Sequence, residues 1–150
     1  MACFSSDNVT FTIRDGTDPA ANVEISQAVS ALTAPTGQDL VVDLWAVKAT
    51  LVTDATVATR TVTFTIDDGA GNVLFTKVSP ATQAASLTRV YYFYRDLVTE
   101  DASFDAGGNI KLRLPPIPLK PAWRFITSTA NRQSTDNWGA PKLITIERVV

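Results

Sequence analysis

The sequence predicts an all-β protein: an antiparallel two-sheet β-sandwich, jelly-roll-like, with eight or nine strands in a single domain spanning 1–150. Three observations predict it. No long stretch carries the i, i+3, i+4, i+7 apolar spacing of an amphipathic helix, whereas threonine and valine abound, and both suit a pleated, half-buried surface. Short runs of alternating apolar and polar residues recur between turn residues, at intervals usual for a sandwich. Long spans between some strands suit the crossings of a jelly roll. An immunoglobulin-like sandwich is the alternative topology, and the absence of its cysteine pair does not exclude it.

In chain order, Val9, Phe11 and Ile13 alternate with Thr10, Thr12 and Arg14, which predicts a strand with its apolar residues inward and Arg14 outward. Residues 1–8 would form an N-terminal arm. Val23 to Leu32 is a weaker strand closed by "TAPTGQD". Leu40 to Val52 is long and apolar on both faces, so it must be covered on two sides or bent by a bulge. Val62, Phe64 and Ile66 begin a hairpin that turns through "DDGAGN" into "VLFTK" at 73–77. "RVYYFYR" at 89–95 places Val90, Tyr92 and Tyr94 on one face and Tyr91 and Phe93 on the other. Ile110, Leu112 and Leu114 alternate with Lys111 and Arg113. "PPIPLKP" at 115–121 lacks four ladder donors and reads as an extended connection. "AWRFITST" at 122–129 resumes a strand, "NRQSTDNWGAP" at 131–141 is a polar loop, and "KLITIERVV" at 142–150 is the last strand.

Two octapeptides, "VTFTIRDG" at 9–16 and "VTFTIDDG" at 62–69, differ only at Arg14 and Asp67. Their flanks do not match, so a duplication is not indicated. The expectation is one solution used twice, with Val, Phe and Ile facing in and an Asp-Gly turn ending each strand.

Composition restricts the chemistry. The 150 residues hold 13 basic and 15 acidic side chains, a net charge of −2, with neither sign in a run. Nucleic acid and membrane surfaces are therefore not expected partners. The N-terminus lacks the pattern of a signal peptide, and no segment approaches the length of a membrane span. The absence of histidine removes Ser-His and Cys-His nucleophile pairs and the imidazole ligands of most catalytic zinc sites. The single cysteine, Cys3, excludes an internal disulfide. No cofactor, metal or catalytic residue is assigned. Asp67-Asp68 and Glu100-Asp101 are adjacent pairs, and strand neighbours point to opposite faces, so neither pair alone forms a glycosidase site. Turn chemistry explains them. "DDGAGN" and "DASFDAGGN" carry oxygen ligands but do not match the calcium-loop pattern. The expectation is that the chain is not an enzyme.

The informative feature is a surplus of apolar surface. A lone sandwich needs one buried face per strand, and strands 40–52 and 89–95 offer two. Exposed apolar faces of any extent mark interfaces. The candidate interface residues are Trp45, Tyr91, Tyr92, Phe93, Tyr94, Trp138, Val149 and Val150. Trp138 either plugs the sandwich or projects to a partner. "PPIPLKPA" could instead cover one of the two-faced strands.

"RTVTFTIDDGAGNVLF" (60–75), "QAASLTRVYYFYRD" (83–96), "IKLRLPPIPLKPAWRFITSTAN" (110–131) and "DNWGAPKLITIERVV" (136–150) together resemble small virion structural proteins of tailed bacteriophages. The resemblance is clearest over the last 90 or so residues, with Ala122 where a glycine is expected before the first tryptophan. It implies a capsid decoration or cement protein, localised to the virion and assembled in the host cytoplasm. It further implies a homo-oligomer, a trimer being favoured, in contact with the major capsid protein or neighbouring virion proteins. A neck, collar or tail accessory protein is the alternative within the particle. A carbohydrate-binding module for host adhesion is the alternative outside that class; it requires aromatics exposed together on one surface.

Overall fold

A computed structural model of the chain describes residues 9–28, 40–120 and 122–149. The arm 1–8, Cys3 and Val150 lie outside the described residues. Among the described residues eleven strands form: β1 (Val9–Asp15), β2 (Ser26–Ala28), β3 (Leu40–Val52), β4 (Thr61–Asp67), β5 (Val73–Val78), β6 (Thr88–Tyr94), β7 (Asn109–Arg113), β8 (Pro118–Leu119), β9 (Arg124–Ala130), β10 (Asn137–Trp138) and β11 (Lys142–Val149). Strands β2, β8 and β10 have three residues or fewer, which leaves eight longer strands against the eight or nine expected; of the strand expected at 23–32, Ser26–Ala28 is β2 and 29–32 lie outside the described residues. The two sheets are β1-β11-β3-β6-β7, with β8 and β10 also paired to β3, and β2-β9-β4-β5. The protein is thus an all-β, two-sheet sandwich.

The apolar core lies between the sheets. Phe64 of β4 sits in its middle, with ring centroids 4.3 Å from Phe93, 5.3 Å from Tyr91, 5.8 Å from Phe125 and 6.2 Å from Trp138. Val62, Phe64 and Ile66 all face this core, as their alternation requires. The β4–β5 hairpin closes where Asp67 Oδ1 accepts the Gly69 amide and Gly69 takes a positive φ of 80°.

One pairing departs from the antiparallel expectation: β6 and β7 run parallel. The intervening residues 95–108 form a connection of the length that a parallel pair needs. Of the two arrangements that its apolar pattern allows, covering on both sides or a bulge, the long two-faced strand shows the bulge. β11 pairs Ile144 with Ala46 and Thr145 with Leu44, so Trp45 is the extra residue of a bulge. Val42 and Leu44 face the core before it, and Val47, Ala49 and Leu51 face the core after it.

The proline-rich connection does not cover that strand. Through β8 it pairs Leu119 with Val42 and Pro118 with Asp43, whereas β6 pairs with Ala46 to Val52. It therefore continues the sheet in line with β6, and Leu119 drops into the core. Trp138 is the plug. β10 holds it opposite Leu51, it is fully buried, and its indole N–H donates to Glu24 Oε2 at 2.9 Å.

Candidate interaction surface

Strand parity divides the candidate interface residues into two groups. Tyr91, Phe93 and Trp138 are fully buried between the sheets, so the expectation that they face a partner is corrected. The reason is that β6 alternates aromatic residues on both faces, and only one face can look away from the core. Tyr92 and Tyr94 take that outer face, with Trp45 on the neighbouring bulge. Val149 pairs with Leu40 through its backbone.

The first octapeptide behaves opposite to expectation. Phe11 and Ile13 are 65% and 73% exposed, and Arg14 points to the inner side. Register explains this. Ile13 lies opposite Ile144 and Phe11 opposite Ile146, so all four share the outer face of the seven-stranded sheet. The inner side of β1 and β11 is polar instead. Arg14 makes a two-pronged contact with Glu147 at 2.9 and 2.8 Å, and Thr145 donates its hydroxyl to the same carboxylate. In β4 the matching threonines face out, and Asp67 is gripped by Arg124 at 2.9 and 2.6 Å.

The outer face thus assembles Phe11, Ile13, Trp45, Tyr92, Tyr94 and Ile144 without a covering element among the described residues. The rings of Tyr92 and Tyr94 are parallel to within 4° at 6.0 Å, and Phe11 meets Trp45 edge-on at 6.1 Å. Beside the tyrosines is an apolar cleft of about 200 Å³ lined by Ile13, Ala46, Lys48, Tyr92, Tyr94, Lys142 and Ile144. Lys48 sits 5.9 Å from the Tyr92 ring centroid, in cation–π range. The strand pairings also bring Lys111 and Arg113 to this face. Among the described residues its acids are Asp15, paired with Lys142, and Asp43, paired with Arg95. The face is therefore apolar at its centre and basic at its rim.

No protein-family model, curated protein or solved structure matches this chain.

The remaining polar clusters are committed to the fold. Asp68 accepts the Ala70 and Asn72 amides, Glu100 binds Lys77 and the Arg113 amide, and Asp101 accepts the Lys111 amide. Among the described residues, no group of three or more His, Cys, Asp or Glu could hold a metal ion. A second cavity of about 160 Å³ opens between the sheets, where Arg14, Gln27 and Thr145 meet Val42, Leu119 and Phe125. Its one cation, Arg14, is already matched by Glu147.

A polar network that the sequence pattern does not reveal joins Arg60 to Asp54 and Asp136. Arg60 is fully buried and donates Nε and Nη2 to Asp136 at 2.9 and 2.8 Å, Nη2 to Asp54 at 2.8 Å, and Nη1 to the carbonyls of Thr56 and Ala58. Asp136 also accepts the amides of Asp54 and Gln133. The only sequence signal is a single arginine just before β4, a placement common on solvated surfaces.

This network and the Glu147 and Asp67 pairs predict acid sensitivity. Burial alone would raise the Asp136 carboxyl, but the Arg60 and amide hydrogen bonds outweigh it and hold it below its usual range. Arg14 lowers Glu147, and Arg124 lowers Asp67. Folded values below the unfolded ones give stability that is present above about pH 4 and is lost as pH falls through the folded values. The urea midpoint should hold from neutral pH to about pH 5 and then fall steadily below about pH 4. A midpoint unchanged down to about pH 3 would contradict these assignments.

Proposed function

We propose that this chain is a bacteriophage virion structural protein of the capsid decoration or cement type, acting by binding rather than by catalysis. One observation carries the binding role: the outer face of the seven-stranded sheet, uncovered among the described residues, with Phe11 and Ile13 exposed beside Trp45, Tyr92 and Tyr94. A face of this kind resembles the cut core of an assembly. The virion setting is supported by the resemblance of the last 90 or so residues. In that setting the chain bridges neighbouring capsid subunits. Each bridge adds binding free energy that must be overcome before the shell opens, and a standard contact of this kind buries about 800 Å² per partner.

The test is co-sedimentation with expanded phage heads that lack this protein. Saturation at hundreds of copies, with a gain in resistance of the heads to heat, is expected for a cement protein, and about a dozen copies or fewer for a neck or tail component. Absence of binding by folded protein would refute the role.

A second reading is favoured by the parallel, stacked rings of Tyr92 and Tyr94 on this face, aromatic surface of the kind against which a sugar ring can stack. It requires glycan-array binding that Tyr92→Ala and Tyr94→Ala abolish. An array without hits would eliminate it.

A further inference from the structure

We propose that the outer face of the seven-stranded sheet closes on the same face of a second copy, with the 96–101 loop of each copy lying over the Lys48–Lys142 cleft of the other. This deepens the reading above, resting on it only for the outer face being an interface.

The loop has the shape and charge that the cleft lacks. Its tip is Val98, 87% exposed, between Asp96 on one side and Glu100 and Asp101 on the other. The cleft has an apolar floor of Ile13, Ala46 and Ile144, with Lys48 and Lys142 on its margin. An apolar knob flanked by acids thus matches an apolar hole flanked by bases. Glu100 is already paired with Lys77 and Asp101 accepts the Lys111 amide, so Asp96 carries the match.

Both features border one face. Arg113 lies opposite Tyr94 on β7 and donates from Nε to the Leu97 carbonyl at 2.9 Å and from Nη2 to the Val98 carbonyl at 2.7 Å. This ties the loop to the β7 border, while the cleft lies toward β3, β11 and β1. A two-fold axis through the face exchanges knob and hole, which is the self-complementary condition of an isologous pair.

Charge and area point the same way. Lys48, Lys111, Arg113, Lys142 and Arg95 outnumber Asp15 and Asp43 on the face, so two bare faces would repel; the acidic loops remove that repulsion. Five strands at about 4.8 Å spacing and about 20 Å length present roughly 500 Å² in projection. A stable pair buries about 800 Å² on each side. The loop and the relief of the aromatic side chains supply the difference. Face-to-face packing of two sheets at about 10 Å is an ordinary arrangement.

The test is sedimentation velocity of the purified chain over a micromolar concentration series. A two-copy species is expected, weakening as salt rises. Ile13→Glu, at an exposed position, should give a monomer with unchanged circular dichroism, melting where the wild type melts once diluted below its pairing range. Asp96→Lys and Lys48→Glu should each weaken pairing about tenfold or more, and together restore most of it. Val57→Asp, at a 96% exposed site in the neutral 55–59 segment, should change nothing. A monomer at all concentrations, a three-copy mass, or a pair indifferent to Ile13→Glu would each overturn the proposal. In the first case the face serves a foreign partner. A monomer that still binds heads overturns the pairing alone; a pair that binds no heads overturns the virion role alone.

Discussion

Asp136→Ala is expected to lower the unfolding free energy by about 3–5 kcal/mol. The carboxylate is fully buried and takes four hydrogen bonds, two from Arg60 and one each from the Asp54 and Gln133 amides. Its removal leaves the Arg60 guanidinium, itself fully buried, with only Asp54 as a counter-charge. A buried charge cannot recover its lost hydration, and that loss exceeds the modest net value of the pair itself. The loss would appear as a lower urea midpoint with little change in slope. Arg60→Met should cost a comparable amount, because it strands Asp136 and the carbonyls of Thr56 and Ala58. The double variant should cost clearly less than the sum of the two singles, since the partners are directly coupled. Additive losses would show that the pair does not act as a unit.

Phe64→Ala and Phe11→Ala should differ as widely as two phenylalanine truncations can. Phe64 is 1% exposed and touches four aromatic rings. Its truncation leaves a large cavity and is expected to cost about 3–5 kcal/mol. Phe11 occupies the same place in the other octapeptide but is 65% exposed, in edge contact with Trp45. Its truncation should change monomer stability by about 0.5 kcal/mol or less. Any effect of Phe11→Ala should instead appear in association, measured on the same samples by sedimentation. Equal losses at the two sites would mean that Phe11 is buried in the folded chain.

This pair of predictions also marks how far the sequence reaches. The alternation at 9–15 and 61–67 identified two strands, each with one apolar face. It could not say which way that face points, because period two is the same for an inward and an outward strand. The direction depends on the neighbour. β4 lies between β9 and β5 over the aromatic core, whereas β1 is an edge strand whose partner β11 places Ile144 and Ile146 outward and Thr145 and Glu147 inward. A similar limit applies to β6. Its sequence shows two aromatic faces but not which one is spare.

The sequence by itself determined the all-β class, the extent of most long strands, the choice in β3 between a second cover and a bulge, the turn role of Asp67-Asp68 and the surplus of apolar faces. Each follows from local rules of alternation, proline exclusion and turn chemistry, which act over a few residues. Only the tertiary structure decided that Tyr91, Phe93 and Trp138 belong to the core while Phe11, Ile13, Trp45, Tyr92 and Tyr94 form the outer face. It also decided the parallel β6–β7 pair and the meeting of Arg60 with Asp136, 76 residues apart. These outcomes depend on strand register and on which sheet lies opposite. Both are settled by contacts between distant segments, where burial of the larger aromatic set and pairing of buried charge outweigh any local preference.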